Sequence, residues 1–222
     1  MQATTTLYTN LLANPKHIKQ HKAIISGTTY LEENIISLST SGGMFDKFSV
    51  GNCTSREINI AVFPLGDIPK MAEIKIYTRL TDGTQYSEWL PKGTYYIDTR
   101  STDEYTGALE IHGYDAMLKT EQLWAGTVGS YQTAVVNDIA SRIGVTLDSR
   151  TSLNSTYKVT SDDNYTMREI LGYIGASNGG NWIITDNNKL RLIKMGDLPE
   201  ETNLLIDDNG NALLFGEVRI IV

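Results

Sequence analysis

The sequence predicts an α+β, β-rich chain, with an antiparallel β barrel or sandwich-like domain followed by a small two-helix plus hairpin domain. Three observations carry this. Apolar residues between Ser55 and Leu80 recur with a period of two, as in half-buried strands. After Tyr131 the period becomes helical. Tyr (12) outnumbers Phe (4), and Thr and Asn are frequent, the mix of strands with wet aromatic faces.

In chain order, Ala23–Tyr30 and Asn34–Thr40 read as two strands joined at Leu31–Asn34. In Ser55–Val62, Ile58, Ile60 and Val62 fall on one face and Glu57, Asn59 and Ala61 on the other. In the next run Ile74, Ile76 and Leu80 oppose Glu73, Lys75, Tyr77 and Arg79. Asp82-Gly83 is a hairpin turn signal. Leu90-Pro91-Lys92-Gly93 reads as a break before a strand Thr94–Thr99, and Ala108–His112 returns as another strand after a turn at Asp103–Gly107. Asp115 is placed to cap a short helix through Leu118. A helix is expected over Tyr131–Ile143, with Ser130 as N-cap and Gly144 as the residue past its end. A second is announced by the capping box Thr166-Met167-Arg168-Glu169, with Met167, Ile170, Leu171 and Ile174 as its apolar stripe. Trp182–Thr185 and Leu190–Ile193 form a hairpin around Asp186–Asn188. Leu204–Ile206, a turn at Asp207–Gly210 and an apolar tail finish the chain. The expected division is residues 1–125, 126–200 and 201–222.

At 222 residues and 41% hydrophobic content the chain is long enough to bury a real core. A net charge of −7 with scattered basic residues argues against a nucleic-acid coat. No apolar run is long enough for a membrane-spanning helix, and the first residues, Met1–Thr6, lack the pattern of a signal peptide. Cys53 is the single cysteine, so no internal disulfide forms, which suits a reducing cytosol.

Chemical motifs fare poorly. His17 and His21 have the i, i+4 spacing of zinc peptidases, but Ile18 stands where the catalytic Glu belongs, and the segment reads as a solvated loop. Asp207–Asn211 resembles a calcium loop, yet counting from Gly210 puts Leu205 at the first position and Gly216 at the twelfth. Gly175–Gly180 lacks the Lys-Ser/Thr of a phosphate-binding loop and reads as a helix end. The neighbouring carboxylates Glu32-Glu33 and Asp162-Asp163 read as solvated edges. Cys53 has no histidine near it in sequence and reads as a packing residue. Trp89, Trp124 and Trp182 are candidates for sugar stacking, against the commoner buried role. No catalytic residue, cofactor or metal is expected, and the chain reads as a binding or assembly protein rather than an enzyme.

The order of segments carries more information. The Gly51-Asn52 turn leads into Ser55–Val62. Then come Ala72–Tyr77, Glu88-Trp89-Leu90-Pro91-Lys92-Gly93-Thr94-Tyr95-Tyr96-Ile97-Asp98, and Leu109-Glu110-Ile111-His112-Gly113-Tyr114-Asp115-Ala116-Met117-Leu118. With the Thr166–Leu171 helix and the Trp182 hairpin, this order over Ile24–Ile193 resembles the N-terminal region of baseplate hub and tail-associated proteins of tailed phages and prophages, including those of the prophage endopeptidase tail type. The structural motif positions are Gly51, Pro91, Gly93, Gly113, Asp115, Thr166 and Glu169. Gly93 and Gly113 suit turns at strand ends or close packing, and Asp115 an N-cap.

The resemblance implies a homotrimer at the tail tip whose paired β domains imitate a sixfold tube ring. Its neighbours would be tail-tube, distal-tail and tip or receptor-binding proteins. Phage DNA would pass through without specific binding, and the negative net charge suits such a channel. The virion tail tip, assembled in the bacterial host cytoplasm, is the implied location. Hub proteins usually continue beyond the length seen here, so residues 201–222 are expected to begin a second tube-like domain in a truncated or split chain. The rival readings are a carbohydrate-binding or adhesive β module for host attachment and a cell-wall hydrolase with an unrecognised site.

Overall fold

A computed structural model of the chain describes residues 4–42, 49–160, 164–194, 214–215 and 218–219. Seven antiparallel strands form the main sheet: β1 (Ile18–Ile25), β2 (Thr28–Tyr30), β3 (Ile35–Gly42), β4 (Arg56–Val62), β5 (Glu73–Thr81), β6 (Leu90–Thr102) and β7 (Leu109–Asp115). Their order is β2-β1-β5-β6-β7-β4-β3.

That order forces the sheet to curl. Its outermost strands, β2 and β3, are consecutive in sequence and joined by Leu31–Asn34, so Tyr30 and Ile35 lie at most about 18 Å apart. In a flat seven-stranded sheet the outer strands would stand roughly 29 Å apart. The Leu31 carbonyl accepts from the N–H groups of Asn34 and Ile35 (2.9 and 3.1 Å), which tightens the link further. The result is a half-barrel. Its concave face holds Ala23, Ile25, Tyr30, Ile58, Ile60, Val62, Ile74, Ile76, Tyr95, Ile97 and Ile111, the inward set expected from the alternation in β4 and β5.

A second core lies on the other side of β6 and β7. It is built from helices α2 (Gln132–Arg142) and α3 (Met167–Ser177) and the sheet of β8 (Thr146–Leu147), β9 (Gly180–Ile184) and β10 (Lys189–Lys194), in order β8-β10-β9. Trp182 is fully buried at its centre, and its indole N–H donates to the Leu171 carbonyl at 2.6 Å. Tyr95 and Tyr96 are adjacent on β6 and point to opposite faces, so Tyr95 enters the half-barrel core and Tyr96 the second one. Two further short strands, β11 (Leu214–Phe215) and β12 (Val218–Arg219), pair with each other.

Four local expectations are corrected, and one helix was not foreseen. Ala23–Tyr30 is not one strand, because Ser26 and Gly27 both take positive φ (49° and 86°) and turn the chain into the β1–β2 hairpin. His21 lies in β1 and not in a solvated loop. Leu90–Gly93 is not a break: β6 runs through it by means of a bulge opposite Ile76 and Tyr77, where Pro91, which has no N–H, is tolerated. The cap residue of α2 is Tyr131 rather than Ser130, with no side-chain cap bond. An unexpected helix, α1 (Thr6–Ala13), packs against β5. It is capped by the Thr5 hydroxyl, whose own O–H and backbone N–H donate to Glu88.

Gly113 shows how tightly the sheet is built. A Cβ there would stand 2.4 Å from the Tyr96 carbonyl oxygen on the paired strand. Gly113→Ala is therefore expected to cost about 1–3 kcal/mol through overpacking. Gly66→Ala, which meets nothing within 4 Å, should stay within about 0.5 kcal/mol of the parent. Urea unfolding midpoints of the two variants check the contrast.

Candidate functional site

The two cores meet along one short segment. Gly51–Thr54 runs beside β9 in parallel. Gly51 N–H donates to the Gly180 carbonyl (2.9 Å), Trp182 N–H to Asn52 (2.8 Å), and Thr54 N–H to Trp182 (3.1 Å). The chain thus lends a fourth strand to the small sheet immediately before entering β4 of the half-barrel. Gly51 has φ of 86°, and a Cβ there would lie 2.8 Å from the Gly172 carbonyl in α3, so only glycine passes this crossing without strain.

Two arginines lie at the segment. Arg168 of α3 donates to the Cys53 carbonyl, to Ser55 Oγ (3.1 Å) and to the Met117 carbonyl (3.3 Å), and its Nε lies against Glu121. Arg56 opens β4 and points into the half-barrel. Its guanidinium bonds Asp186 in the β9–β10 turn and the Thr185 carbonyl (3.2 Å). Beneath it Asp115 is wholly buried, accepting from Arg56 N–H and Met117 N–H (both 3.0 Å). Arg56 Nε sits 3.6 Å from Asp115 Oδ2, close enough for charge contact but too long for a hydrogen bond.

The positions singled out in the sequence are distributed as follows. Gly51 is at the crossing. Pro91 and Gly93 flank the β6 bulge, with Gly93 under the Tyr95 ring, and Gly113 lies within β7. Asp115 caps the 3₁₀ turn Ala116–Glu121 through Met117 N–H. Thr166 and Glu169 form a reciprocal capping box at the start of α3. The structure brings Gly51, Asp115 and the first turn of α3 to the junction and leaves Pro91 and Gly93 at the bulge.

The other candidates take structural places. His17 Nδ1 is 2.7 Å from the Asn14 carbonyl. Among the described residues no group of His, Cys, Asp or Glu has the grouping of a metal site, and no helix is long and apolar enough to cross a membrane. Burial pushes the Cys53 thiol up to about 12, against the pull of Arg168. It is therefore a thiol rather than a thiolate at neutral pH. Asn178 ends α3 ahead of β9. Glu32 accepts from the His21 backbone N–H (3.2 Å). Trp124 and Trp182 are buried; Trp89 is half-buried, with Lys22 and Arg79 over its ring. Asp162-Asp163 and Asp207–Asn211 lie outside the described residues.

The open end of the half-barrel is the feature that sequence reasoning missed. A cavity of about 490 Å³ lies there, bordered by Lys19, His21, Thr40, Arg56, Lys92, Tyr95 and Asp186. Lys19 and His21 continue the inward register of Ala23 and Ile25 on β1, so the strand's inner face changes from polar to apolar along its length. The β6 bulge places Lys92 on the cavity wall. The inward placement of Lys19 and His21 follows from the β1–β5 register, which the local sequence does not show.

Comparison with solved structures places this arrangement. A tail protein from Neisseria meningitidis MC58 superposes with a TM-score of 0.54 at 11% identity, over 78% of this chain and 51% of that one. The 43 kDa tail protein of prophage MuSo2 from Shewanella oneidensis gives 0.56 at 10% identity, over 86% and 58%. The chain has the fold of phage tail proteins. It spans between half and three-fifths of the length of these two tail proteins. No protein-family model matches the sequence, and no curated protein does.

Burial holds Asp115 at about 6, well above the ordinary carboxylate value of 3.8, despite two N–H donors and the Arg56 charge. Folding therefore takes up a proton at this site between about pH 4 and 6. Its contribution to stability is fully present below pH 4 and is lost as pH rises to 6, on the order of 3 kcal/mol. Asp115→Asn should remove that decline. Unfolding free energies at pH 4 to 7 check this, because subtracting the variant's profile from the parent's isolates the single site. Parallel profiles would contradict it.

Proposed function

We propose that the chain is a structural component of a phage or prophage tail tip, of the baseplate hub kind. The observation that carries this reading is the shared fold with two tail proteins across 78% and 86% of the chain. It is supported by the kind of site found. The partly buried Arg56 and Arg168 and the fully buried Asp115 hold the two cores together at the junction. These are the features of a part that bears load in an assembly.

In this reading residues 1–125 supply the tube-like part and residues 126–200 the small α+β part. Three copies form a ring that joins the tail tube to the tip, contacts distal-tail and receptor-binding proteins, and borders the channel through which DNA leaves. The net charge of −7 favours passage over retention of phosphate. The particle is assembled in the host cytoplasm. The role is non-enzymatic. The adhesive alternative is weakened because two of the three tryptophans are buried and the third is covered by cations.

Immunogold electron microscopy of induced particles, with antibody to this chain, tests the reading. Gold at the tail tip is expected. Gold absent from both intact and disrupted particles would overturn it.

A further inference from the structure

The cavity at the open end of the half-barrel is not needed for holding the two cores together, yet it gathers charge. Lys19 comes from β1 and Lys92 from the β6 bulge, and neither ammonium has an ion-pair partner among the described residues. Arg56, also on the wall, is already engaged by Asp186 and lies over Asp115. His21 Nδ1 is shielded from solvent and has no hydrogen-bond partner there. Thr40 and Thr78, both at inward strand positions, add hydroxyl-bearing side chains to the lining. Two free ammonium groups, hydroxyl-bearing walls and about 490 Å³ of space describe a receptor for a small, polar, doubly charged anion.

We propose that this cavity binds a phosphomonoester of a sugar or polyol, its phosphate held between Lys19 and Lys92 and its hydroxyl groups against Thr40 and Thr78. Charge decides between anions. A phosphomonoester carries close to two negative charges at neutral pH and matches two ammonium groups, where a carboxylate matches one. Volume decides between free and organic phosphate, since the cavity is several times larger than the phosphate group alone. Two carboxylates oppose the ligand: Asp186 on the wall, engaged by Arg56, and the exposed Glu32, which accepts from the His21 backbone N–H. The site stands independently of the tail-tip role.

His21 supplies a reporter. Burial and Lys19 hold its imidazole below the ordinary histidine range, with Glu32 pulling the other way. The groups around it are Lys19 on β1, Glu32 in the β2–β3 turn, Arg56 on β4, Lys92 on β6 and Asp186 in the β9–β10 turn. A bound dianion adds negative charge to this set and raises the His21 pKa.

The test is an NMR titration of the full 222-residue chain with glycerol 1-phosphate, inorganic phosphate, acetate and glycerol. Saturable shifts confined to Lys19, His21 and Thr40 are expected with glycerol 1-phosphate, with weaker binding of inorganic phosphate, and a rise in the His21 pKa on saturation. Lys19→Ala and Lys92→Ala should each weaken binding roughly tenfold, the loss of one charge-assisted hydrogen bond. Glu32→Gln should tighten it, and Lys70→Ala, remote from the cavity, should change nothing. Equal binding of inorganic and glycerol phosphate would reduce the site to a phosphate site and overturn the polyol assignment. Shifts that do not saturate, or that persist in the Lys19→Ala/Lys92→Ala double variant, would overturn the site altogether.

Discussion

The pairing of residues 51–54 with β9 is the interaction on which the rest of the structure depends. The half-barrel and the helical layer have separate apolar cores. Beyond this pairing they meet at the back of β6 and β7 and through the Arg56 and Arg168 side chains. Three backbone hydrogen bonds join Gly51, Asn52 and Thr54 to Gly180 and Trp182, and two residues later the same chain is the first residue of β4. A displacement of β9 is therefore transmitted directly into the main sheet.

Charge reinforces the backbone at the same place. Arg168 reaches the segment from α3, and Arg56, just beyond it, reaches the β9–β10 turn. A hydrogen bond to a charged group is worth about 1.5–3 kcal/mol when buried; Arg56 and Arg168 are partly buried, and of their carboxylate partners Asp115 is the one fully enclosed. Asp115 balances Arg56 from below while capping the 3₁₀ turn that carries Ala116 and Met117 into the second core. Trp182, whose carbonyl and N–H serve the segment and whose indole serves α3, ties the three layers together.

Much of this fold was legible because alternation and capping are local. The inward faces of β4 and β5, the α3 capping box and the Asp115 cap follow from neighbours in sequence. What was not legible depends on distant partners. Ser26-Gly27 carries a turn inside an apolar run, and nothing local separates it from a continuous strand. Leu90–Gly93 has the composition of a break but becomes strand because it pairs with Ile76 and Tyr77 of β5 through a bulge at Lys92. The α1 helix depends on Thr5 finding Glu88, 83 positions away. The parallel partner of β9 lies 129 positions from it, in a segment whose own composition reads as a turn. The cavity was hidden for a related reason. Lys19 and His21 have the composition of a solvated segment, and only the register with β5 turns them inward.

If the two cores are one cooperative unit, their slowest amides must open together. Native-state hydrogen exchange of the Thr54 and Trp182 N–H groups at the crossing, set against Ile97 N–H in the half-barrel, measures this directly. Equal opening free energies for all three, matching the global unfolding value, are predicted. Opening of Thr54 and Trp182 at a distinctly lower free energy, with Ile97 still protected, would contradict the account and make the helical layer a separate, loosely attached unit.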